Sequence, residues 1–93
     1  MMTPDAARSL LRKALAQGAV RISVHGAEQI RAAGFEAGLI FAELDLAASR
    51  GSVGRNDANP KCALTYGDVL TMSFARDGER TAAIVVTVWV QER

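Results

Sequence analysis

The apolar positions of this 93-residue chain change period near its middle. In the first half they recur every three to four residues, as on the buried side of a helix, and in the second half many alternate, as in strands with one buried face. Glycine, proline and asparagine-rich stretches separate these segments. The pattern predicts an N-terminal helix within residues 1–18, then strand 20–24, helices 25–33 and 36–50, and strands 52–55, 62–66, 69–76 and 81–90.

The last predicted strand, residues 81–90, is apolar on both faces. Its alternation places Ile84, Val86 and Val88 on one face and Val85 and Trp89 on the other. A strand of this kind lies inside a sheet and is covered by helices on at least one face. We therefore expect an α+β fold, with N-terminal helices packed on a curved antiparallel sheet in a single domain over residues 1–93.

Composition excludes several classes of protein. Eleven basic and ten acidic residues give a net charge of +1, which argues against a strongly basic face. The lone cysteine, Cys62, excludes an internal disulfide and a cysteine-rich metal site, and its apolar setting predicts an unreactive buried thiol. No signal peptide or membrane-spanning run is recognisable. We expect a soluble cytoplasmic protein without membrane attachment, metal or cofactor.

The only histidine, His25, lies where the strand 20–24 passes into the following helix. Histidine titrates near neutral pH, so an isolated one at a helix start is a candidate general acid or base. The competing interpretation is a structural cap, since Glu28 follows three residues later, in the spacing of a capping box. The sequence leaves both interpretations open.

Short matches from residue 20 to residue 90 carry a family resemblance. They comprise Ser23, His25, Ala27, Ile30, Gly34, Phe35, Gly67 and the run Thr87 to Val90. In these residues the chain resembles the family named domain of unknown function 4258, which is similar to BrnT-type and RelE-type toxins. The resemblance implies a RelE/barnase-like toxin fold and a metal-independent ribonuclease of a toxin–antitoxin pair. The family usually has alanine and arginine where this chain has Gly26 and Gln29.

Metal-independent RNA cleavage requires a proton acceptor, a proton donor and cations near the phosphate. We predict His25 as general acid or base and Tyr66 as a second catalytic group. Arg31, Arg55 and Lys61 are the predicted phosphate- or RNA-binding residues. The expected partners are RNA and a small antitoxin or another protein, and the formation of a homodimer stays open.

A function of another class competes with the ribonuclease. The same fold could serve as a non-catalytic protein-binding module that recognises a partner through a sheet edge or a helical face. The near-neutral charge and Gln29 favour this alternative. Ser23, His25 and the family resemblance favour the ribonuclease.

Overall fold

A computed structural model describes residues 2–92 of the chain as three helices and a five-stranded sheet, which confirms the α+β prediction. Most predicted segments form, although the third helix begins two residues later than expected. In chain order the elements are α1 (Pro4–Ala16), β1 (Val20–Ile22), α2 (Val24–Ala32), α3 (Gly38–Arg50), β2 (Val53–Arg55), β3 (Cys62–Tyr66), β4 (Leu70–Arg76) and β5 (Ala83–Val90).

The sheet is mixed, so the prediction of an antiparallel sheet is wrong for one pair of strands. The strand order is β1-β5-β4-β3-β2, and β1 pairs with β5 in parallel, with Val20 opposite Ala83 and Ile22 opposite Val85. The other neighbouring pairs are antiparallel. Helices α2 and α3 and strands β2–β4 separate β1 from β5 in the chain, so no hairpin turn dictates their relative direction.

Helices α1 and α3 pack on one face of the sheet, here called the covered face. Helix α1 begins where the Thr3 hydroxyl accepts a hydrogen bond from the backbone N–H of Ala6 at 3.2 Å. Its apolar stripe meets that of α3 and the inward side chains of the sheet. The largest fully buried apolar side chains are Leu11, Ile40, Leu44, Leu70, Met72, Phe74 and Val85.

A β-bulge in β5 changes which of its residues face the core. Ser73 of β4 lies opposite Thr87, but the next residue, Phe74, lies opposite Val85, so Val86 is an extra residue. Val85 and Val88 therefore both enter the core, although strict alternation places them on opposite faces. Beyond the bulge, Thr87 and Trp89 lie on the opposite face of the sheet, here called the open face.

Candidate functional site

The junction between β1 and α2 is organised by Ser23. Its hydroxyl accepts a hydrogen bond from the backbone N–H of Gly26 at 3.0 Å and donates one to the carbonyl of Val86 at 2.9 Å. Ser23 is therefore the N-cap of α2, and the interpretation of His25 as the cap is wrong. Because the cap comes this early, the predicted strand stops at Ile22, and Val24 is an exposed helical residue (77%).

The side chain of Gln29 stabilises the edge of β5. Strand β1 ends beside Val85, whereas β5 continues to Val90. The C-terminal half of β5, residues 86–90, therefore lacks a neighbouring strand on that side. The side-chain oxygen of Gln29 accepts a hydrogen bond from the backbone N–H of Val88 at 2.7 Å. Gln29, at the position where the resembled family has arginine, thus provides the backbone N–H of Val88 with the acceptor that a neighbouring strand would otherwise supply.

His25 is exposed on α2 beside this half of β5. It precedes Gln29 by four residues and so lies on the same side of the helix. Ile30, which is buried in the core, lies on another side of α2. His25 is not needed for capping, and its side chain is exposed to solvent.

Two aromatic residues occupy one row of paired positions on the open face, and the ring of Tyr66 lies over Gly54 of β2. Tyr66 of β3 pairs with Thr71 of β4, and Thr71 pairs with Trp89 of β5. Tyr66 is 43% exposed and Trp89 is 45% exposed. Two strand spacings separate their backbones, roughly 10 Å. We call Tyr66, Thr71 and Trp89 the aromatic row. Exposed rings of this kind offer flat surfaces on which bases or other planar groups can stack.

The five predicted site residues do not form one cluster. His25 and Arg31 lie on α2, while Tyr66 lies on β3, three strand spacings from β1, or roughly 14 Å. Arg55 and Lys61 flank the loop at the opposite end of β3, and Nε of Arg55 is 3.9 Å from a carboxylate oxygen of Asp57. The catalytic and phosphate-binding roles assigned to these residues stay predictions.

Glu43 is a buried carboxylate to which the sequence patterns assign no function. It is 4% exposed and accepts hydrogen bonds from the backbone N–H groups of Asp68, Val69 and Leu70. Its position on the apolar stripe of α3, next to Leu44, is a signal that it points inward. Because backbone donors of the β3–β4 turn occupy this carboxylate, Glu43 is a structural residue.

The clear pKa shifts belong to surface ion pairs. A bidentate pair in which Arg21 donates to Asp77 at 2.7 and 3.0 Å lowers the pKa of the Asp77 carboxyl and raises that of Arg21. A hydrogen bond to Asp68 at 2.8 Å raises the pKa of Arg50. These pairs fasten turns to neighbouring elements, and the Arg50–Asp68 pair holds the turn that directly follows Tyr66.

Comparison of the chain with models of protein families, with curated proteins and with solved structures found no match. Membership of the domain of unknown function 4258 family therefore stays a prediction. Among residues 2–92, no helix has the length and apolar character needed to cross a bilayer. The same residues contain no group of three or more histidine, cysteine or acidic side chains that could hold a metal ion.

Proposed function

We propose that this protein binds single-stranded RNA on the open face of its sheet and cleaves it as a toxin-like ribonuclease. The aromatic row is the observation that carries the proposal. Tyr66 and Trp89 are both nearly half exposed on one sheet face, and the strand pairing aligns them on either side of Thr71. Stacking on such rings is the usual way in which proteins hold unpaired bases.

His25 supplies the acid–base group in this proposal. It is exposed on α2 one turn before Gln29, whose side chain bonds the backbone of Val88 next to Trp89, and the proposal requires that the bound RNA reach it. Ser23 performs the capping, so the His25 ring is available for proton transfer. Arg31, nearly two turns further along α2, is the nearest of the predicted phosphate-binding residues in the chain.

Binding can be measured directly because Trp89 is the only tryptophan. We expect its fluorescence to be quenched when an unstructured oligouridine of about twelve nucleotides is added. Tyr66→Leu should weaken binding by about fivefold to 150-fold, since stacking contributes about 1–3 kcal/mol per base. Phe41→Leu is the matched control, because Phe41 is also partly exposed (39%) but lies on α3. Equal affinities of the two variants would refute base stacking on the row.

Cleavage is tested separately with a fluorogenic RNA in the presence of EDTA. His25→Gln should abolish cleavage and leave the quenching of Trp89 by RNA unchanged, because the capping Ser23 and the aromatic row stay in place. Undiminished cleavage by this variant would remove His25 from the mechanism. Binding without any cleavage by the unmodified protein would retain the RNA-binding proposal and refute the ribonuclease.

A second function, binding another protein without catalysis, is favoured by apolar side chains that α2, α3 and their connection leave in solvent. Val24, Phe35 and Phe41 are all exposed. Exposed apolar groups of this size are common at protein interfaces. Sedimentation velocity over a range of concentrations tests the homodimer form of this function. We expect Phe41→Asp to abolish self-association. A dimer that persists in both Phe41→Asp and Phe35→Asp would exclude these two side chains from the dimer interface.

A further inference from the structure

The net charge of +1 conceals an uneven distribution of positive charge. Several arginines are neutralised locally by ion pairs: Arg8 with Asp5, Arg21 with Asp77, Arg50 with Asp68 and Arg55 with Asp57. Lys13, Lys61 and Arg76 form no ion pair with any other residue in the range 2–92. The sequence alone could not reveal this separation, because it depends on which carboxylates the fold brings to which arginines.

These three cations line one continuous depression, here called the basic groove. Two adjoining hollows share Ala6 of α1 and Arg76 of β4; one also contains Lys13 and the other Lys61. The remaining lining residues are Met2, Ser9, Leu10 and Thr81. None of these described lining residues is acidic.

The three cations are held by separate elements. Lys13 lies in the last turn of α1, Lys61 directly precedes β3, and Arg76 is the last residue of β4. One nitrogen of the Arg76 guanidinium donates to the carbonyl of Arg80 at 3.2 Å, which orients the group. Like charges brought together without a counter-charge create a positive potential that attracts anions.

We propose that the basic groove binds the phosphodiester backbone of a nucleic acid strand. Its polar lining consists of two ammonium groups, one guanidinium group and two hydroxyl groups, those of Lys13, Lys61, Arg76, Ser9 and Thr81. All of these groups can donate hydrogen bonds to phosphate oxygens. The described lining is cationic and contains no acidic residue, so its charge complements a polyanion such as a phosphodiester strand. The groove lies at the opposite end of the sheet from the aromatic row, and this inference therefore does not depend on the proposed ribonuclease.

The test uses a fluorescein-labelled abasic oligonucleotide of about fifteen units, which carries phosphates but no bases that could stack on Tyr66 or Trp89. Fluorescence anisotropy at several KCl concentrations gives the affinity and its salt dependence. Neutralising Lys13 and Arg76 together as Lys13→Gln/Arg76→Gln should weaken binding about tenfold or more at 50 mM KCl. The slope of log K against log salt should fall in magnitude by about 1.4, which is about 0.7 for each phosphate that is no longer neutralised.

The matched control is Arg12→Gln, set against Lys13→Gln, because each removes one cation of α1 that forms no ion pair within residues 2–92 and only Lys13 lines the groove. Arg12 adjoins Lys13 in α1 but does not line the depression. We expect this control to change the affinity by less than about twofold, and circular dichroism establishes that all of these variants are folded. Lys61→Gln alone should weaken binding measurably, which gives an independent check on the groove.

Three outcomes would overturn the proposal. The first is equal weakening of binding by Lys13→Gln and Arg12→Gln, which would assign binding to net charge. The second is no binding of the abasic strand by the unmodified protein. The third is competition by polyglutamate as effective as that by an unlabelled abasic strand, which would point to an acidic polypeptide. Tyr66→Leu should leave abasic binding unchanged, so failure of the base-stacking proposal is distinguishable from failure of this one.

Discussion

The carboxylate of Glu43 fastens the β3–β4 turn to α3, and glutamine at this position tests how much of the stability depends on it. The side chain is buried and accepts three backbone N–H groups, including that of Asp68 at 3.1 Å. Hydrogen bonds to an ionised acceptor contribute about 1.5–3 kcal/mol each, and a buried donor left without a partner costs about 1–3 kcal/mol.

Glu43→Gln preserves the shape of the side chain but replaces one acceptor oxygen by an NH₂ group, which is itself a donor. At least one of the three N–H groups then faces another donor. We expect the free energy of unfolding to fall by about 2–4 kcal/mol. This is a large share of the total of about 5–15 kcal/mol that is typical of a folded domain.

Urea denaturation followed by circular dichroism measures this decrease. With an m-value of about 1 kcal/mol/M for a chain of this size, the midpoint should fall by about 2 M or more. Asp45→Asn, an exposed carboxylate on the same helix, is the control and should change the stability by less than about 0.5 kcal/mol. If both variants shift the midpoint equally, the Glu43 carboxylate does not hold the turn.

Gly67 provides a second test of the same contact. A Cβ atom on Gly67 would lie 2.6 Å from the carboxyl carbon of Glu43, so Gly67→Ala forces the carboxylate away from the turn. Because this change and Glu43→Gln disrupt the same hydrogen bonds, the double variant should be destabilised by less than the sum of the single effects. Additive effects would show that the two residues act independently.

Three further predictions concern residues away from the turn. Arg21 lowers the pKa of Asp77, so this pair should contribute stability above about pH 5, and that stability should be lost as the pH falls through the folded-state pKa of Asp77. Urea titrations at several pH values measure this loss. The free energy of unfolding should depend less on acid pH in Asp77→Asn than in the parent protein. Gln29→Leu should cost about 1–3 kcal/mol in urea denaturation, because the backbone N–H of Val88 is left without its partner, and an unchanged midpoint would mean that water replaces the amide. The buried Cys62 thiol should react with a disulfide reagent only on unfolding, and rapid reaction of the native protein would contradict its burial.

Local signals predicted the positions of most helices and strands. The helical spacing of Ala6, Leu10, Leu11, Ala14 and Leu15 predicts the buried side of α1. Leu10, Leu11 and Ala14 do lie in the core, whereas Ala6 is exposed and Leu15 is only partly buried. Such predictions succeed because the period of the apolar residues reflects contacts within one element and against one neighbouring surface. The prediction of a strand over residues 20–24 places Ser23 in that strand and misses its capping role, although serine is among the residues preferred at the N-cap of a helix.

The pairing and register of β5 could not be read in the same way. This strand is apolar on both faces, so its alternation does not specify which residues face the core, and shifting the register by one residue preserves the pattern. The bulge at Val86 adds one residue to β5 and so places Val85 and Val88 on the same side of the sheet. The register of β5 is set by its pairing with β4, across a turn, and by its packing against α2, which is remote in the chain.

Because sequence patterns do not specify strand pairing, they can indicate individual candidate site residues but not which of these residues lie close together. Lys61 is a candidate because of its charge and Tyr66 because of its ring, and the structure exposes both. Their neighbours were not predictable, because the sheet order places Tyr66 in a row with Trp89, whereas Lys61 joins Lys13 and Arg76. The fold thus places the stacking surface on the open face and the positive charge beside α1, on the covered face and at the other end of the sheet, so a ligand that uses both must pass round an edge of the sheet. A strand of nucleic acid is long enough for this path, whereas a mononucleotide is not, so affinity that rises with oligonucleotide length is the behaviour that unites the two proposals.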